Sequence, residues 1–209
     1  MQKVLIHPLY VRIFHWLNAV AIIIMVMSGW QIYNASPLFN GLEFPAAITL
    51  GDWLGGGLQW HFAAMWLFVV NLIIYLVTGI VTGHFREKMF PVSPNAVLSD
   101  VGQALRGKLA HDSHEYNAVQ KVFYLGVTFV MVMTFVSGLF IWKSAQFHVL
   151  SWIVGNYDTA RYVHFAGMSL ICAFVVVHLV LVALVPSTFI PMITGWAKPF
   201  SKKEKSHVA

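Results

Sequence analysis

Residues 162–185 are YVHFAGMSLICAFVVVHLVLVALV, and this stretch decides the fold class. It contains no Asp, Glu, Lys or Arg, yet it holds two histidines, His164 and His178. About 20 apolar residues in an α-helix cross the roughly 30 Å hydrocarbon core of a bilayer, so the stretch predicts a transmembrane helix. An ionisable side chain at the centre of such a helix costs on the order of 3 kcal/mol, so both histidines indicate a function.

Three other segments of the chain are equally free of acidic and basic residues. With the first stretch, the four segments are 13–42, 53–85, 122–142 and 162–197. An apolar content of 58%, a charged content of 10% and a mean hydropathy of +0.71 lie outside the range of soluble domains. β-Barrel strands alternate over about ten residues and are excluded. We predict an all-α, integral membrane four-helix bundle that forms one domain over residues 1–209, with helices near 13–34, 60–83, 120–142 and 162–185.

The positions of the basic residues predict how the four spans are oriented. Eleven of the thirteen Lys and Arg residues lie in the N-terminal segment, in the connection between the second and third spans (the middle loop 84–120 together with Lys121) and in the C-terminal tail, whereas Lys143 and Arg161 lie elsewhere. Because cytoplasmic loops retain Lys and Arg, we expect both termini and the middle loop to be cytoplasmic (N-in/C-in), and loops 35–59 and 143–161 to face outward. The net charge of +5 is thus explained by topology, and we exclude a nucleic-acid partner.

Two loops have features of their own. The middle loop is polar and favours a short interfacial helix near 95–109. The first outer loop contains Gly55, Gly56 and Gly57 beside Asp52 and Trp53, which predicts a compact turn or a contact with a partner.

The cysteine content and the first residues limit the kind of cofactor site. Cys172 is the single cysteine, so the sequence has no disulfide framework, no Cys-x-x-Cys site for zinc or an iron–sulfur cluster, and no attachment motif for c-type haem. Any haem must therefore be held non-covalently. The first apolar run lacks a small-residue cleavage site, and we expect it to stay in the protein as a membrane span.

Ten histidines are many for so apolar a chain, and four of them lie within the predicted spans. His15 lies near the cytoplasmic start of the first span, and His178 lies toward the cytoplasmic side of the fourth, so these two share an inner level. His61 and His164 open the second and fourth spans from the outside and share an outer level. Two pairs of histidines at two depths are thus predicted.

The spacing within the fourth span supports a cofactor at each level. His164 and His178 are 14 residues apart, which corresponds to about 21 Å of rise and about 40° of rotation in an α-helix. Both imidazoles therefore face the same bundle interior. Two stacked haems, each held by one histidine of this span and one from a neighbouring helix, fit the arrangement. For any single histidine, an interhelical hydrogen bond is the alternative.

Several other residues are candidates for cofactor binding. Gly29 follows His15 by 14 positions and lies on the same helical face at the outer level, where a missing side chain leaves room for a macrocycle. Gly138 and Gly167 are candidates for the same role, with close helix packing as the alternative. Three basic residues are candidates for pairing with haem propionates, or are ordinary interfacial anchors: Arg12, Lys143 and Arg161.

These residues resemble a known family. The matching motifs are Arg12-Ile-Phe-His15-Trp at the first span, Gln-Trp-His61 at the second, and the pair His164 and His178 in the fourth. Together they resemble the di-haem cytochrome b561-like membrane subunits, which include the cytochrome b subunits of formate dehydrogenase, nickel-iron hydrogenase and thiosulfate reductase. The stretch 8–18 and Gly-His-Phe-Arg at 83–86 are most similar to the thiosulfate-reductase type.

The resemblance implies two b-type haems, the inner one ligated by His15 with His178 and the outer one by His61 with His164. It also implies a subunit in the bacterial cytoplasmic (inner) membrane, surrounded by lipid, that exchanges electrons with the quinone pool. Its expected partner is a periplasmic redox protein such as a molybdopterin enzyme or a cytochrome.

A quinone or quinol substrate would need polar side chains beside the inner haem. The candidates, whose side chains can hydrogen-bond or transfer protons, are His84, Arg86 and Asn117.

Two other functions are open at the level of sequence. The family also has small stand-alone members that act as superoxide:quinone oxidoreductases, and Lys143 and Arg161 near the outer level would attract such an anion. The second is a non-redox protein, either a four-helix transporter or a membrane anchor, whose histidines bind a metal or relay protons. The sequence does not decide whether the chain is an enzyme by itself or an electron-transfer subunit.

Overall fold

A computed structural model describes residues 4–83, 85–105, 117–186 and 189–197. In chain order the helices are α1 (Leu9–Ala35), α2 (Leu54–Val81), α3 (Pro94–Leu105), α4 (Ala118–Trp142), α5 (Ser151–Val154), α6 (Tyr157–Leu184) and α7 (Phe189–Thr194). Helices α1, α2, α4 and α6 are each long and apolar enough to cross a membrane. The predicted all-α membrane four-helix bundle is therefore confirmed.

All four predicted spans are present, but their helices begin earlier than we expected. Helix α2 begins six residues before its predicted start and α6 begins five residues before. Helix α2 begins inside its charge-free segment, and Trp53 before it makes no side-chain cap bond. Helix α6, in contrast, extends through polar residues ahead of its apolar run because its first turn is capped. In α6, the Asn156 side chain accepts a hydrogen bond of 2.9 Å from the Thr159 backbone N–H, and Asp158 in the first turn suits the helix dipole.

The short helix predicted in the middle loop is also present. Helix α3 begins at Pro94 and its last described residue is Leu105, and the remainder of the predicted range lies outside the described residues. The Asp100 carboxylate accepts a hydrogen bond of 2.8 Å from the Ala118 backbone N–H at the start of α4. This bond ties the middle loop to the third span.

The long helices pack chiefly as two hairpins, α1 on α2 and α4 on α6. Both hairpins turn at the same end of the bundle, the end predicted to face outward. Polar side chains lie inside the bundle: Asn71 of α2 is buried, and its amide donates a hydrogen bond of 2.9 Å to the Phe14 carbonyl of α1. Apolar side chains such as Val81 and Leu184 are exposed, as expected where the surroundings are lipid.

The two described ends of the chain meet at the opposite end of the bundle. Strand β1 (Val4–Leu5) pairs antiparallel with β2 (Trp196–Ala197), and the backbone N–H groups of Ile6 and His7 donate to the Gly195 carbonyl. Burial, and then the nearby Arg12 charge, lower the pKa of His7, which favours its neutral form. The pairing of β1 with β2 brings the two described ends of the chain to one end of the bundle, as an even number of spans requires. The N-in/C-in orientation stays a prediction.

The outer loop that precedes α2 was predicted to form a compact turn or a partner contact, and a turn lies at Gly51 and Asp52, where φ is positive. The glycine run itself is helical, and the partner contact stays a prediction. Gly55, Gly56 and Gly57 form the first turn of α2, and the turn in the chain lies earlier, where Gly51 has a φ of +115°. Gly56 is needed because the backbone at Gly51 lies directly against it. A Cβ atom added to Gly56 would lie 2.1 Å from the Gly51 carbonyl oxygen.

We therefore expect Gly56→Ala to destabilise the protein, because the Gly51 backbone must move to admit the methyl group. The matched control is Gly126→Ala in α4, where an added Cβ meets nothing within 4 Å and alanine favours the helix by about 1 kcal/mol. Thermal unfolding of the detergent-solubilised variants measures the difference. A melting temperature for Gly56→Ala at or above that of Gly126→Ala would contradict this account.

Candidate functional site

The outer pair of histidines meets between the two hairpins. His61 of α2 and His164 of α6 have ring centroids 6.2 Å apart, and their ring planes are inclined at 64°. Two imidazoles that bind one metal ion through bonds of about 2 Å place their ring centroids roughly 6 Å apart. The distance between the two rings therefore fits a single metal ion bound by both imidazoles.

Hydrogen bonds fix which nitrogen of each outer imidazole is free. His61 Nδ1 lies 3.1 Å from the Met25 carbonyl oxygen, and His164 Nδ1 lies 2.9 Å from the Thr134 carbonyl oxygen. A carbonyl oxygen can only accept, so each Nδ1 carries the proton and each Nε2 has a free lone pair. This is the tautomer that a metal-binding histidine needs.

The inner pair is arranged differently. His15 of α1 and His178 of α6 have ring centroids 6.1 Å apart at an angle of 55°, and the His178 ring stacks on Phe174 at 6.0 Å. His178 is exposed and His15 is half-buried. The His15 Nδ1 atom is buried and has no hydrogen-bond partner among the residues that the structure describes.

The donor set and its surroundings suit haem at both levels. Each pair offers two imidazoles at the separation that a shared metal ion requires, and bis-imidazole ligation is a known way to hold haem. At the outer level, Gly29 lies against His61 and Gly138 against His164. Within the described residues, no group of three or more His, Cys, Asp or Glu residues could chelate a metal ion.

Comparison with known proteins assigns the chain to a family. Residues 6–195 match the family model described as prokaryotic cytochrome b561. The chain belongs to the prokaryotic cytochrome b561 family. This result confirms the resemblance predicted from the sequence and identifies the chain as a prokaryotic membrane cytochrome that carries b-type haem and takes part in electron transport.

Two relatives of this cytochrome b561 are informative. A protein of Azospira oryzae, named as the protein-methionine-sulfoxide reductase subunit YedZ1, is 52% identical over 191 residues, which cover 91% of this chain and 96% of the relative. A protein of Cupriavidus necator, named as a Ni/Fe-hydrogenase B-type cytochrome subunit, is 24% identical over 186 residues, which cover 80% of this chain and 74% of the relative. Both names describe subunits of oxidoreductase systems.

The structure gives each of the three predicted propionate partners a contact within the protein. The Arg161 guanidinium donates to the Ser36 carbonyl oxygen and, at 3.1 Å, to the Ser36 hydroxyl, and so links α6 to the end of α1. The Lys143 ammonium lies 5.2 Å from the centre of the Trp142 ring. Arg12 donates to the Ile193 carbonyl oxygen, while its Nε atom is buried without a partner among the described residues. Their role toward propionates stays a prediction.

Two of the three quinone-site candidates, Arg86 and Asn117, lie at the inner end of the bundle. Arg86 lines a groove of about 600 Å³ with Gly79 and Phe85. Asn117 is the N-cap of α4: its side chain accepts a hydrogen bond of 2.8 Å from the Gln120 backbone N–H. His84 lies outside the described residues. A second groove, of about 450 Å³, lies between α1 and α7; Arg12, Trp16 and Ile193 are among its lining residues.

Sequence reasoning missed the residues that hold the outer imidazoles. Ser28 lies beside His61, and Ser137 lies beside His164. The His61 ring donates to the Met25 backbone carbonyl, and the His164 ring donates to the Thr134 backbone carbonyl. The prediction treated Gly29 and Gly138 as space for a macrocycle, whereas the structure places both against imidazole rings. The signal that could have found the serines is the Ser-Gly dipeptide, which occurs in both the first and the third span.

We expect Gly138→Ala to weaken haem binding at the outer level. The new Cβ atom would lie 2.9 Å from His164 Cε1, so the ring must turn, and an off-rotamer side chain costs about 0.5–1.5 kcal/mol. Haem affinity should fall several-fold. The measurement is the number of haems retained per chain as the purified variant is diluted, determined by the pyridine haemochrome assay.

Gly29→Ala is the matched control for this prediction. Its Cβ atom would lie 3.5 Å from His61 Cε1, which is an ordinary contact, so haem binding should be almost unchanged. Equal haem retention by the two variants would show that space at Gly138 does not control the outer site.

Proposed function

We propose that this cytochrome b561 is an electron-transfer subunit with two b-type haems, one between His15 and His178 and one between His61 and His164. It links the quinone pool to an oxidoreductase partner on the outer side of the bacterial cytoplasmic membrane. One observation supports the proposal above all others: at two levels, imidazoles from different helices lie 6.1 and 6.2 Å apart, the spacing for a shared iron.

The chain's own residues would hold the two cofactors at fixed depths. Haem iron supplies one-electron exchange between its ferric and ferrous states. His164 and His178 lie on the one continuous helix α6, and their separation of 14 residues corresponds to about 21 Å of rise. A single rigid helix would therefore set the vertical spacing of both sites, and α1 and α2 each complete one of them.

A quinone site at the inner end is the second part of the proposal. The groove that Arg86 lines opens at the end of α2, and its apolar walls would accept a quinone ring while the guanidinium donates to a ring oxygen. Oxidation of a quinol releases two electrons and two protons. Arg86 cannot accept a proton, so another group must do so, and His84 stays the predicted candidate.

The partner we propose is an oxidoreductase that reduces methionine sulfoxide in proteins. The argument is the 52% identity with the Azospira oryzae protein, whose name makes it a subunit of such a reductase. The electron count agrees: reduction of a sulfoxide to the thioether consumes two electrons and two protons and releases water, which balances one quinol. Because this chain supplies no pterin motif, the catalytic partner would be the molybdopterin enzyme that the resemblance implies.

Substitution of single ligands tests the two-haem arrangement. His178→Ala should remove the inner haem and His164→Ala the outer haem, so each variant keeps about half the haem of the unchanged chain. The physical reason is that one remaining imidazole cannot replace the lost axial ligand. Haem quantification and redox titration of the purified variants are the measurements.

His148→Ala is the matched control for the ligand variants, since His148 is exposed in the second outer loop. It should keep both haems. If His164→Ala and His178→Ala each retained two haems per chain, or if the unchanged chain bound only one, the two-haem function would be wrong.

Arg86→Ala tests the quinone site separately from the haems. We expect slower reduction of the haems by a short-chain quinol, with a raised KM, and unchanged reduction by dithionite, which needs no binding groove. Lys143→Ala removes a cation from the opposite end of the bundle and should leave both rates unchanged. Equal quinol rates for Arg86→Ala and the unchanged chain would place the quinone elsewhere.

A further inference from the structure

Two buried serines contact the outer histidines in the same way in each hairpin. Ser28 Oγ lies 3.2 Å from His61 Nδ1, and Ser137 Oγ lies 3.3 Å from His164 Nδ1. Both serines are completely buried, with exposed fractions of 0%. No cofactor role was predicted for either of them.

The direction of these hydrogen bonds follows from the other contacts of each hydroxyl. Ser28 donates its proton to the Ile24 carbonyl at 2.6 Å, and Ser137 donates to the Met133 carbonyl at 2.8 Å. A serine has only one hydroxyl proton, so each Oγ must accept from the imidazole Nδ1–H. Every outer Nδ1–H is therefore shared between a serine oxygen and the carbonyl oxygen three residues earlier in the same helix.

The contact is an internal repeat of the fold. In both hairpins the first helix presents a carbonyl, a serine three residues later and a glycine directly after it, and the second helix presents the histidine. Small residues surround each histidine at equal spacing: Gly57 and Ala160 precede it by four residues, and Ala64 and Gly167 follow it by three. Such residues let two helix backbones approach closely.

From this repeated geometry we infer that Ser28 and Ser137 are positioning residues for the outer haem, which fix the rotation of His61 and His164 and lower the haem's midpoint potential. The inference rests on the proposed two-haem function. A hydrogen bond accepted from Nδ1–H makes the imidazole a more basic ligand. A more basic ligand favours ferric over ferrous iron, because the ferric ion carries the larger charge.

The inner pair provides a contrast within the same molecule. His15 Nδ1 has no hydrogen-bond partner among the described residues, so its imidazole lacks this source of basicity. Loss of the serines should therefore change the midpoint potential of the outer haem and leave that of the inner haem unchanged.

The competing explanation is that the serines only satisfy their own helix. Serine hydroxyls in membrane helices often bond to the carbonyl four residues earlier, and Ser169 of α6 does so with Phe165 at 2.9 Å while it is exposed. Ser169→Ala is accordingly the matched control, because it removes the same intrahelical bond without an imidazole contact among those the structure gives.

The experiment is redox titration with EPR of the full chain in nanodiscs, for Ser28→Ala, Ser137→Ala, the double variant and Ser169→Ala. We expect the ferric preference of the outer haem to fall several-fold per serine, which raises its midpoint potential at about 59 mV per tenfold change. The inner haem and the Ser169→Ala variant should keep their potentials. The low-spin EPR signal of the outer haem should shift or broaden, since it depends on the 64° angle between the rings.

The outcomes separate this inference from the proposed function. If the double variant keeps two haems with unchanged potentials and EPR signals, the carbonyls alone position the histidines and the inference is overturned, while the two-haem function stands. If it loses only the outer haem, the positioning role is supported more strongly. Should the double variant fail to accumulate, the single variants carry the same readout. An unchanged chain without two haems would refute both.

Discussion

A polar atom inside a lipid bilayer has to find its partner within the protein, and this constraint organises the outer level of the bundle. The Nδ1 atoms of His61 and His164 find theirs on the backbone of the neighbouring helix, at the Met25 and Thr134 carbonyls. Those carbonyls already belong to the helix, so an imidazole reaches them only if the two helices lie very close. These hydrogen bonds therefore require close packing of the two helices and also help to maintain it.

The small residues along each hairpin follow from the same requirement. A Cβ atom on Gly167 would lie 2.1 Å from Thr134 Oγ1, and one on Gly57 would lie 3.1 Å from Gln31 Cγ. Larger side chains at these positions would separate α1 from α2, or α4 from α6, and would withdraw each imidazole from its carbonyl. The seam of small residues, the buried serines and the histidines therefore act as one unit in each hairpin.

Sequence predicted the four spans, and it singled out the four histidines that the structure brings together as two pairs. Their role as haem ligands stays a prediction. Long segments without charged residues and imidazoles within them stand out against the rest of the chain. The helix starts were less predictable, since caps such as Asn156 extend a helix beyond its apolar run. The serines were missed because a serine in a membrane helix usually bonds to its own backbone. The repeated Ser-Gly dipeptide marks them but does not say which histidine lies beside each one, and the fold brings Ser28 to His61 across 33 residues of sequence.

The inner level departs from the repeat, and this departure explains why three helices supply all four histidines. Tyr124 precedes Ser137 by the same 13 residues that separate His15 from Ser28, and Tyr75 follows His61 by the same 14 residues that separate His178 from His164. At the inner level, each hairpin therefore has histidine on one helix and tyrosine on the other. The inner pair joins α1 to α6 on one side of the bundle.

That asymmetry matters for the proposed exchange with quinone. The two outer histidines are half-buried and each is hydrogen-bonded through Nδ1, so the pair can keep one fixed geometry. At the inner level His178 is exposed and grooves lined by Arg12 and Arg86 open at the same end of the bundle. A diffusible quinone has to enter and leave through lipid, whereas a protein partner needs only a fixed donor near its surface. The open inner level therefore suits exchange with quinone, and the fixed geometry of the outer level suits electron transfer to a protein partner.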